Sequence, residues 1–473
     1  MKEIYIKDTK NLIGKEIEIY GWVETRRDHG KIIFIDLKDS TGVIQAVCGP
    51  WLNESYALAE KLRSEWVVKF NGIVKERPDN MKNDKLPLGN VEFEVKSIQI
   101  LNEAETHPFD VYGDGKEIGE EIRMAKKYLD LKRPRMKDNL RKRALVFKFI
   151  RDYLYKNNFL EIDTPYLTKS TPEGARDFLV PSRLGTGLFY ALPQSPQQYK
   201  QMLMVSQVER YFQIVRCFRD EDPRGDRQPE FTQLDIEISF KSEDQILNLT
   251  EQMIKELVET LYPEKHFTQF PFPRIDYMEA MSKYNSDKPD IRKDKNDLNE
   301  LGFAFIVNFP MFEWHEKQYN EEARYVAVHH PFTKIRFDEK LNNEEKVKLI
   351  KEKTNELKAF QYDVALNGCE VAGGSLRETN AQILEAVFER LGNNIEDFRK
   401  QFSHYIEMFS YGVPPHGGIA FGLDRLLMIL QNEESIREVI PFPKTGDNRD
   451  LMMNSPSIVD DKQLKELKIQ INK

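Results

Sequence analysis

The sequence predicts an α+β protein that opens with a small β-barrel of the OB type. Three observations carry this prediction. Residues 1–103 contain five short runs of alternating apolar and polar residues and one helical stretch, the make-up of a small closed barrel. Residues 104–122 are rich in Gly, Asp and Glu and read as a hinge, with the linker reaching to residue 130 and a second domain filling 131–473. Beyond the hinge, strands and helices mix without the strict alternation that builds a parallel sheet.

The barrel strands are expected at 17–23, 32–37, 43–47, 67–72 and 91–95, with a helix near 54–62. Barrels of this kind commonly take single-stranded nucleic acid on the face of strands 2 and 3. After the hinge, basic residues crowd together: Lys126 and Lys127, then Lys132, Arg133 and Arg135, then Arg141, Lys142 and Arg143. They suit either a solvated helix face or a contact with an RNA backbone. Residues 140–157 have the period of an amphipathic helix, and 159–165 read as a strand stopped by Pro165. Tyr211, Gln213 and Val215, then Leu234, Ile236 and Ile238, alternate on two strands joined by a charged loop. Helices follow at about 244–261, 381–392, 395–409 and 423–431.

Composition narrows the function. With 473 residues, 40% hydrophobic and 31% charged, the chain is too apolar for disorder and long enough for two or three domains. No apolar run approaches the roughly 18 residues that span a bilayer. The start lacks a signal-peptide core. Cys48, Cys217 and Cys369 lie far apart, so disulfides and a cysteine zinc site are not expected and a reducing cytoplasm is. A net charge of -8 argues against indiscriminate nucleic-acid binding but permits a selective RNA partner.

Four polar constellations carry chemistry. In the first, Arg219 offers a cation that never deprotonates, suited to phosphate, and Phe231 a flat face for a nucleobase. A surface ion-pair ladder with a core phenylalanine is the plain alternative. The second runs from Gly418 through Gly422, Leu423 and Asp424 to Arg425. Its glycines permit close backbone approach, and Arg425 in a first helical turn opposes the helix dipole unless an anion is near. The third places Asp363 and Glu370 on adjacent strands around a turn, two hard carboxylates suited to Mg²⁺ carrying nucleotide phosphates. The fourth joins Glu173, which could take an ammonium group, with Lys200, which could take a carboxylate. The pair His329 and His330 suggests metal, but neighbours on a strand point to opposite faces, and a mobile loop over a substrate fits better.

Together these motifs resemble the class II aminoacyl-tRNA synthetases, and within them the aspartyl-tRNA synthetases of bacterial type. Residues 159–165 are similar to motif 1, 218–235 to motif 2 and 418–426 to motif 3, while 171–178, 194–200 and 329–333 are the segments most specific to the aspartate enzymes. The resemblance implies an OB-fold anticodon-binding domain and a catalytic domain built on an antiparallel sheet flanked by helices. It implies activation of L-aspartate with ATP and transfer to the terminal ribose of tRNA(Asp), by a cytoplasmic homodimer joined through motif 1, with no membrane or DNA partner. By the same resemblance Arg219, Glu221, Gln228, Phe231, Gly422, Leu423, Asp424 and Arg425 would bind ATP, with Arg219, Arg425 and Glu370 catalytic. Asp363 and Glu370 would hold Mg²⁺. Lys200 and Arg377 would clamp the side-chain carboxylate of aspartate. Glu173, Gln197 and Asp235 would address its amino end, and His329 and His330 would close over it, with Arg219 alongside. Arg27, His29, Phe34 and Gln45 would read the anticodon.

Two departures stand out. Bacterial relatives usually carry an extra domain between motifs 2 and 3, and residues 286–302 form a short polar connector in its place. His29 stands where enzymes restricted to tRNA(Asp) tend to have leucine, which signals tRNA(Asn) as a second substrate. Three other readings remain: an asparaginyl- or lysyl-tRNA synthetase, a non-catalytic tRNA-binding paralogue, and a tRNA-independent ligase on the same fold.

Overall fold

The computed structural model describes residues 3–83, 87–170, 174–222, 224–316 and 323–471. The chain divides into two compact units, 1–110 and 111–473.

In the first unit the expected barrel is present. Strands β1 (Glu16–His29), β2 (Ile32–Lys38) and β3 (Val43–Cys48) precede helix α1 (Tyr56–Lys61), and β4 (Val67–Glu76) and β5 (Val91–Asn102) complete it. They close in the order β1-β2-β3-β5-β4. Alternation sorts their side chains: Ile19, Val23, Ile33, Ile35, Val68, Phe70 and Phe93 fill the interior, and the residues between them face out.

The second unit begins with helices α2 (Glu120–Ala125), α3 (Lys127–Asp130) and α4 (Pro134–Lys156). Pro134 supplies the fixed φ that a first helical position favours, so α4 starts earlier than its apolar periodicity alone indicates. Strand β6 (Leu160–Glu161), the hairpin β7 (Leu179–Pro181) and β8 (Phe189–Ala191), helix α5 (Gln197–Val205) and strands β9 (Arg210–Phe218) and β10 (Glu230–Ser239) follow. Next come α6 (Glu243–Leu261), opened by a Ser242–Gln245 capping box, then β11 (His266–Phe267), β12 (Arg274–Asp276), α7 (Tyr277–Tyr284), β13 (Glu300–Leu301) and β14 (Phe303–Val307). The hairpin β15 (Phe312–His315) and β16 (Arg324–Ala327) leads to α8 (Asn343–Glu352), β17 (Gln361–Leu366) and β18 (Cys369–Leu376). Helices α9 (Ala381–Arg390), α10 (Ile395–Gln401) and α11 (Ser403–Met408), strand β19 (His416–Gly422), and helices α12 (Leu423–Leu430) and α13 (Asp461–Leu467) end the chain.

Eight strands form one sheet in the order β12-β14-β17-β18-β19-β10-β9-β6. The six central strands are antiparallel, but β6 runs parallel to β9 and β12 parallel to β14. The sheet is therefore mixed at its edges. Each parallel pair is joined by a crossover that contains a helix, α5 in one case and α7 in the other, as parallel pairing requires. Helices α4, α6 and α12 cover one face through a core that includes Ile150, Leu154, Ile254, Leu257, Leu423 and Leu427. The helix expected over 395–409 is two helices, because Phe402 leaves the helical path and packs against Phe332, Phe388 and Phe398.

Of the basic residues after the hinge, Lys127, Arg133, Arg135 and Arg143 are spent on carboxylates within the protein, while Lys126 and Arg141 remain exposed. Lys127 and Arg133 both pair with the fully buried Asp130, at 2.8 Å each. Arg123 and Arg135 converge on Glu438, and Arg143 meets Asp424. The partner carboxylates come mostly from near the end of the chain, beyond the reach of a local reading. Among the described residues no helix is long and apolar enough to cross a membrane.

Candidate active site

Four neighbouring strands, β17, β18, β19 and β10, floor a cavity of about 380 Å³ that α5, the β9–β10 loop and the segment holding His329 and His330 border. Strand β10 sets its chemistry. Asp235 and Glu237 are two residues apart, so both project to the same side of the sheet. There they meet two cations. Lys200 Nζ lies 2.7 Å from Asp235 Oδ1 and 3.5 Å from Glu237 Oε2. Arg377 forks onto Glu237, Nε at 3.0 Å and Nη2 at 3.1 Å, and its Nη1 donates to Ser375 Oγ at 2.6 Å. All four charged residues are buried. Burial alone would push the Glu237 carboxyl up, but Arg377 and Lys200 outweigh it and pull it down to about 2. Gly418 faces Glu237 across the β10–β19 ladder, and a Cβ there would run into that carboxylate. The glycine is thus required by the acid opposite. Asp235 Oδ2 is buried without a hydrogen-bond partner, a free acceptor beside the cluster.

The other half of the cavity suits a nucleotide. The Arg219 guanidinium lies 5.1 Å from the Phe231 ring centroid, a cation–π distance. Arg425, in the first turn of α12, donates through Nη1 to the Glu370 carbonyl, and its Nη2 pairs with Asp226 at 3.2 Å. The Nε atoms of Arg219 and Arg425 are buried and unpartnered. Asp363 Oδ1 accepts from Gln361 Nε2 at 2.9 Å, and its Oδ2 lies 3.1 Å from His329 Nε2. Burial and then the Asp363 charge raise the Glu370 carboxyl.

The two histidines line one cavity in opposite charge surroundings. For His329 burial works downward, but Asp363 and then Glu370 outweigh it and hold the imidazole up to about 9. For His330 burial, Arg377 and Lys200 act together and push it down to about 3. Near neutral pH the first is a cation and the second is neutral. The expectation that strand geometry would turn them to opposite faces does not apply, since the segment is not a strand.

A Cβ built on Gly373 would lie 3.0 Å from Asp363 Oδ1 and 3.6 Å from Glu370 Oε1, so this glycine keeps open the space between the two carboxylates.

The structure brings Gln197, Lys200, Arg219, Glu221, Gln228, Phe231, Asp235, His329, His330, Glu370, Arg377, Gly422, Asp424 and Arg425 to this one cavity. Several do so in a supporting capacity. Both polar atoms of the Gln228 amide are engaged by the Lys444 backbone, at 3.1 and 2.7 Å. Asp424 is held at one oxygen by Arg143 and at the other by the Thr232 amide. Leu423 is a core residue with no exposed surface, leaving only its backbone for a ligand. Glu221 pairs with Arg227 at 3.3 Å, and Gln197 donates to Gln201 at 3.0 Å. Asp363 stands behind Gly373. Glu173 lies outside the described residues. Sequence reasoning passed over Glu237, Ser375, Gln361 and His416. The signal for Glu237 is present: a second acid two positions after Asp235, alternating with Leu234, Ile236 and Ile238, must share its face.

On the barrel, Arg27 pairs across the β1–β2 ladder with Phe34, and Asp36 pairs across β2–β3 with Gln45. Ile33 and Ile35 are interior, so Phe34 faces outward, as alternation requires. His29 and Phe34 meet edge to face at 5.6 Å, and Asp36 accepts from Arg27 Nη2 at 2.9 Å.

The family described as tRNA synthetases class II (D, K and N) matches residues 119–446, and the OB-fold nucleic acid binding domain family matches residues 17–101. An aspartate–tRNA(Asp/Asn) ligase of Natranaerobius thermophilus is 37% identical over 98% of this chain and 98% of its own length. One of Syntrophomonas wolfei is 38% identical over 98% and 97%. An asparaginyl-tRNA synthetase from Pyrococcus horikoshii, complexed with asparaginyl-adenylate, shares the fold with a TM-score of 0.74 at 23% identity, over 94% of this chain and 98% of that one. A putative aspartyl-tRNA synthetase from Leishmania major superposes with a TM-score of 0.71 at 20% identity, over 93% of both chains.

Proposed function

The chain belongs to the class II tRNA synthetases of the D, K and N group and, within it, to the family of the aspartate–tRNA(Asp/Asn) ligases, and from that premise we propose how its own residues perform aspartyl-tRNA synthesis. One observation carries the reading: Lys200, Arg377 and Asp235, the first two backed by buried Glu237, line the same cavity as Arg219, Phe231 and Arg425. A small acidic amino acid and a nucleotide therefore meet in one place.

Lys200 and Arg377 hold the aspartate side-chain carboxylate, and Glu237 fixes both cations in position. The unpartnered Asp235 Oδ2 accepts from the aspartate amino group. Neutral asparagine would bring no charge to Lys200 and Arg377 and would turn amide N–H groups towards donors that need an acceptor, an asymmetry that yields strong discrimination. Phe231 stacks the adenine of ATP, and Arg219 and Arg425 bind its phosphates. An oxygen of the aspartate α-carboxylate bonds to the α-phosphorus as the bond to pyrophosphate breaks. The tRNA ribose hydroxyl then attacks the carbonyl carbon of the adenylate and AMP leaves. No protein nucleophile is needed, so catalysis is positioning plus charge stabilisation.

The open space at Gly373 between Asp363 and Glu370 fits Mg²⁺, which when bound would neutralise charge on the ATP phosphates. Among the described residues no group of three or more His, Cys, Asp or Glu is arranged to enclose a metal. The pair thus suits an ion that arrives with phosphate oxygens.

The outward barrel face with Arg27, Phe34 and Gln45 reads the anticodon by stacking and base-edge hydrogen bonds. Exposed His29 beside Phe34 makes that reading tolerant, so the enzyme charges tRNA(Asn) as well as tRNA(Asp). Aspartylation of the two tRNAs in parallel tests it. Charging of both is the expected result, and charging of tRNA(Asp) alone would restrict the enzyme to one substrate.

Leu160 is exposed on the edge strand β6, and Leu179, Leu184, Leu188 and Phe189 are exposed on or beside the β7–β8 hairpin, apolar surface suited to a second copy of the chain. A sedimenting species of 55.6 kDa at micromolar concentration would exclude that homodimer. The alignment with the Natranaerobius relative extends over 591 positions against 473 residues here, which supports a domain-sized loss at the connector 286–302. Nuclease footprinting tests its consequence: protection of bound tRNA should be confined to the anticodon and acceptor ends, and protection between them would contradict it. The proposed setting is the cytoplasm, alongside translation.

A further inference from the structure

The return arm of the β9–β10 loop, Arg224 to Gln228, borders the nucleotide half of the cavity, and it does not hold its own shape. Its one internal link is a tight turn in which the Arg227 amide donates to the Arg224 carbonyl at 3.1 Å. Glu221 adds a half-exposed ion pair to Arg227 at 3.3 Å, and among the described residues the arm's other bonds come from after β19, where Arg425 also pairs with Asp226 at 3.2 Å. The Gly225 carbonyl accepts twice, from Ser435 Oγ at 3.0 Å and from the Ile436 amide at 3.1 Å. Gln228 is held from both sides by the Lys444 backbone. Ile436 itself lines the cavity.

The segment that makes these bonds is in turn anchored elsewhere. Glu433 accepts from Arg135 at 2.6 Å and from Asn139 at 2.6 Å, both on α4. Glu438 pairs with Arg123 of α2 and Arg135 of α4, at 2.9 Å each. Arg437 pairs with Glu120 of α2 at 2.5 Å. The segment therefore has two ends of different chemistry. Charge-assisted pairs fix it to the helices that open the second unit. Neutral hydrogen bonds pass that position to the loop.

We propose that residues 433–445 act as a strap that sets the return arm of the nucleotide loop from the position of α2 and α4, with Ser435 and Glu438 as positioning residues for ATP. Neither residue touches the reacting atoms. Ser435 acts through the Gly225 carbonyl, and Glu438 acts by seating the short turn that presents Ser435 and Ile436. A shift of α2 and α4 is felt at the loop, which gives the nucleotide half of the site a mechanical input from the region just after the hinge. The inference rests on the ATP-binding reading above for its kinetic consequence, but not for its structural one.

The test uses full-length Ser435→Ala, Ser435→Thr and Glu438→Gln. Hydrogen exchange of the peptide containing 224–228, read by mass spectrometry, should quicken about three- to tenfold in Ser435→Ala and return to the wild-type rate in Ser435→Thr, the change expected on losing the hydroxyl that donates to the Gly225 carbonyl and accepts from the Arg437 amide at 3.3 Å. In ATP–pyrophosphate exchange the KM for ATP should rise by a similar factor in Ser435→Ala, with kcat and the KM for aspartate unchanged, and should recover in Ser435→Thr. Glu438→Gln should reproduce the KM effect if it folds, and the serine pair decides the matter if it does not. Unaltered exchange of the 224–228 peptide in Ser435→Ala, or a KM for ATP that stays put while the peptide loosens, overturns the proposal. Absence of aspartate-dependent exchange in the wild type would instead overturn the functional reading, leaving the hydrogen-exchange arm to judge the strap.

Discussion

Arg219→Ala should lower ATP–pyrophosphate exchange by on the order of 10³ while leaving the protein folded, since removing one donor aimed at developing charge typically costs 10²–10³. The structure makes both halves of that expectation specific. The Arg219 side chain has a buried, unpartnered Nε and lies against Phe231. Its loss removes a contact worth only about 0.5–1 kcal/mol to the fold. A circular-dichroism spectrum and a thermal midpoint close to wild type, beside exchange at background, are the expected pair of results. Near-normal exchange would remove Arg219 from the reaction.

The second large effect is expected at Glu237, and it falls on stability as much as on activity. Glu237→Gln leaves Lys200 and Arg377 facing each other across a buried site with half of their compensating charge gone. Breaking a buried ion pair from one side costs about 3–5 kcal/mol. Urea unfolding should show that loss, and the KM for aspartate should rise because the two cations are no longer fixed. The pH dependence gives an independent sign. The folded Glu237 carboxyl sits at about 2, below its ordinary 4.5. Its stabilisation is therefore present above about pH 4.5 and is lost as pH falls from there towards 2. In Glu237→Gln that part of the acid sensitivity should disappear, so the stability curves of the two proteins should converge in acid. Parallel curves down to pH 2 would show that Glu237 is not the charged partner described.

How much of this was legible in the residues differs from element to element. The barrel strands could be read because one face of each is core and the other solvent, so Ile33 and Ile35 announce their side and Phe34 the opposite one. Helix α12 was placed at its first residue by Gly422 and the apolar run after it. Strand β6 was overestimated. Its apolar residues satisfy a strand pattern, but only Leu160 and Glu161 find a neighbour to pair with. Arg135 and Arg143 escape a local reading because Glu438 and Asp424, about three hundred residues away, are what they face. Charge runs report exposure only when no distant carboxylate comes back to meet them.

The same distinction governs the site. Arg219, Phe231, Arg425 and Lys200 were visible because their chemistry is conspicuous in short motifs. Glu237 was less so, since its role is to face Lys200 and Arg377, contributed by α5 and by the residue just after β18. Gln228 and Asp424 have the right chemistry for a nucleotide, yet their polar atoms are spent on Lys444, Arg143 and Thr232. Motif position alone does not separate a ligand-binding side chain from one that holds the binding loop in place.

The most direct test of the central claim is amino-acid-dependent ATP–pyrophosphate exchange with aspartate, asparagine and lysine supplied separately. The buried pair Lys200 and Arg377 predicts exchange with aspartate and background rates with the other two. Exchange driven by asparagine or lysine, or no exchange with any of the three, would contradict it.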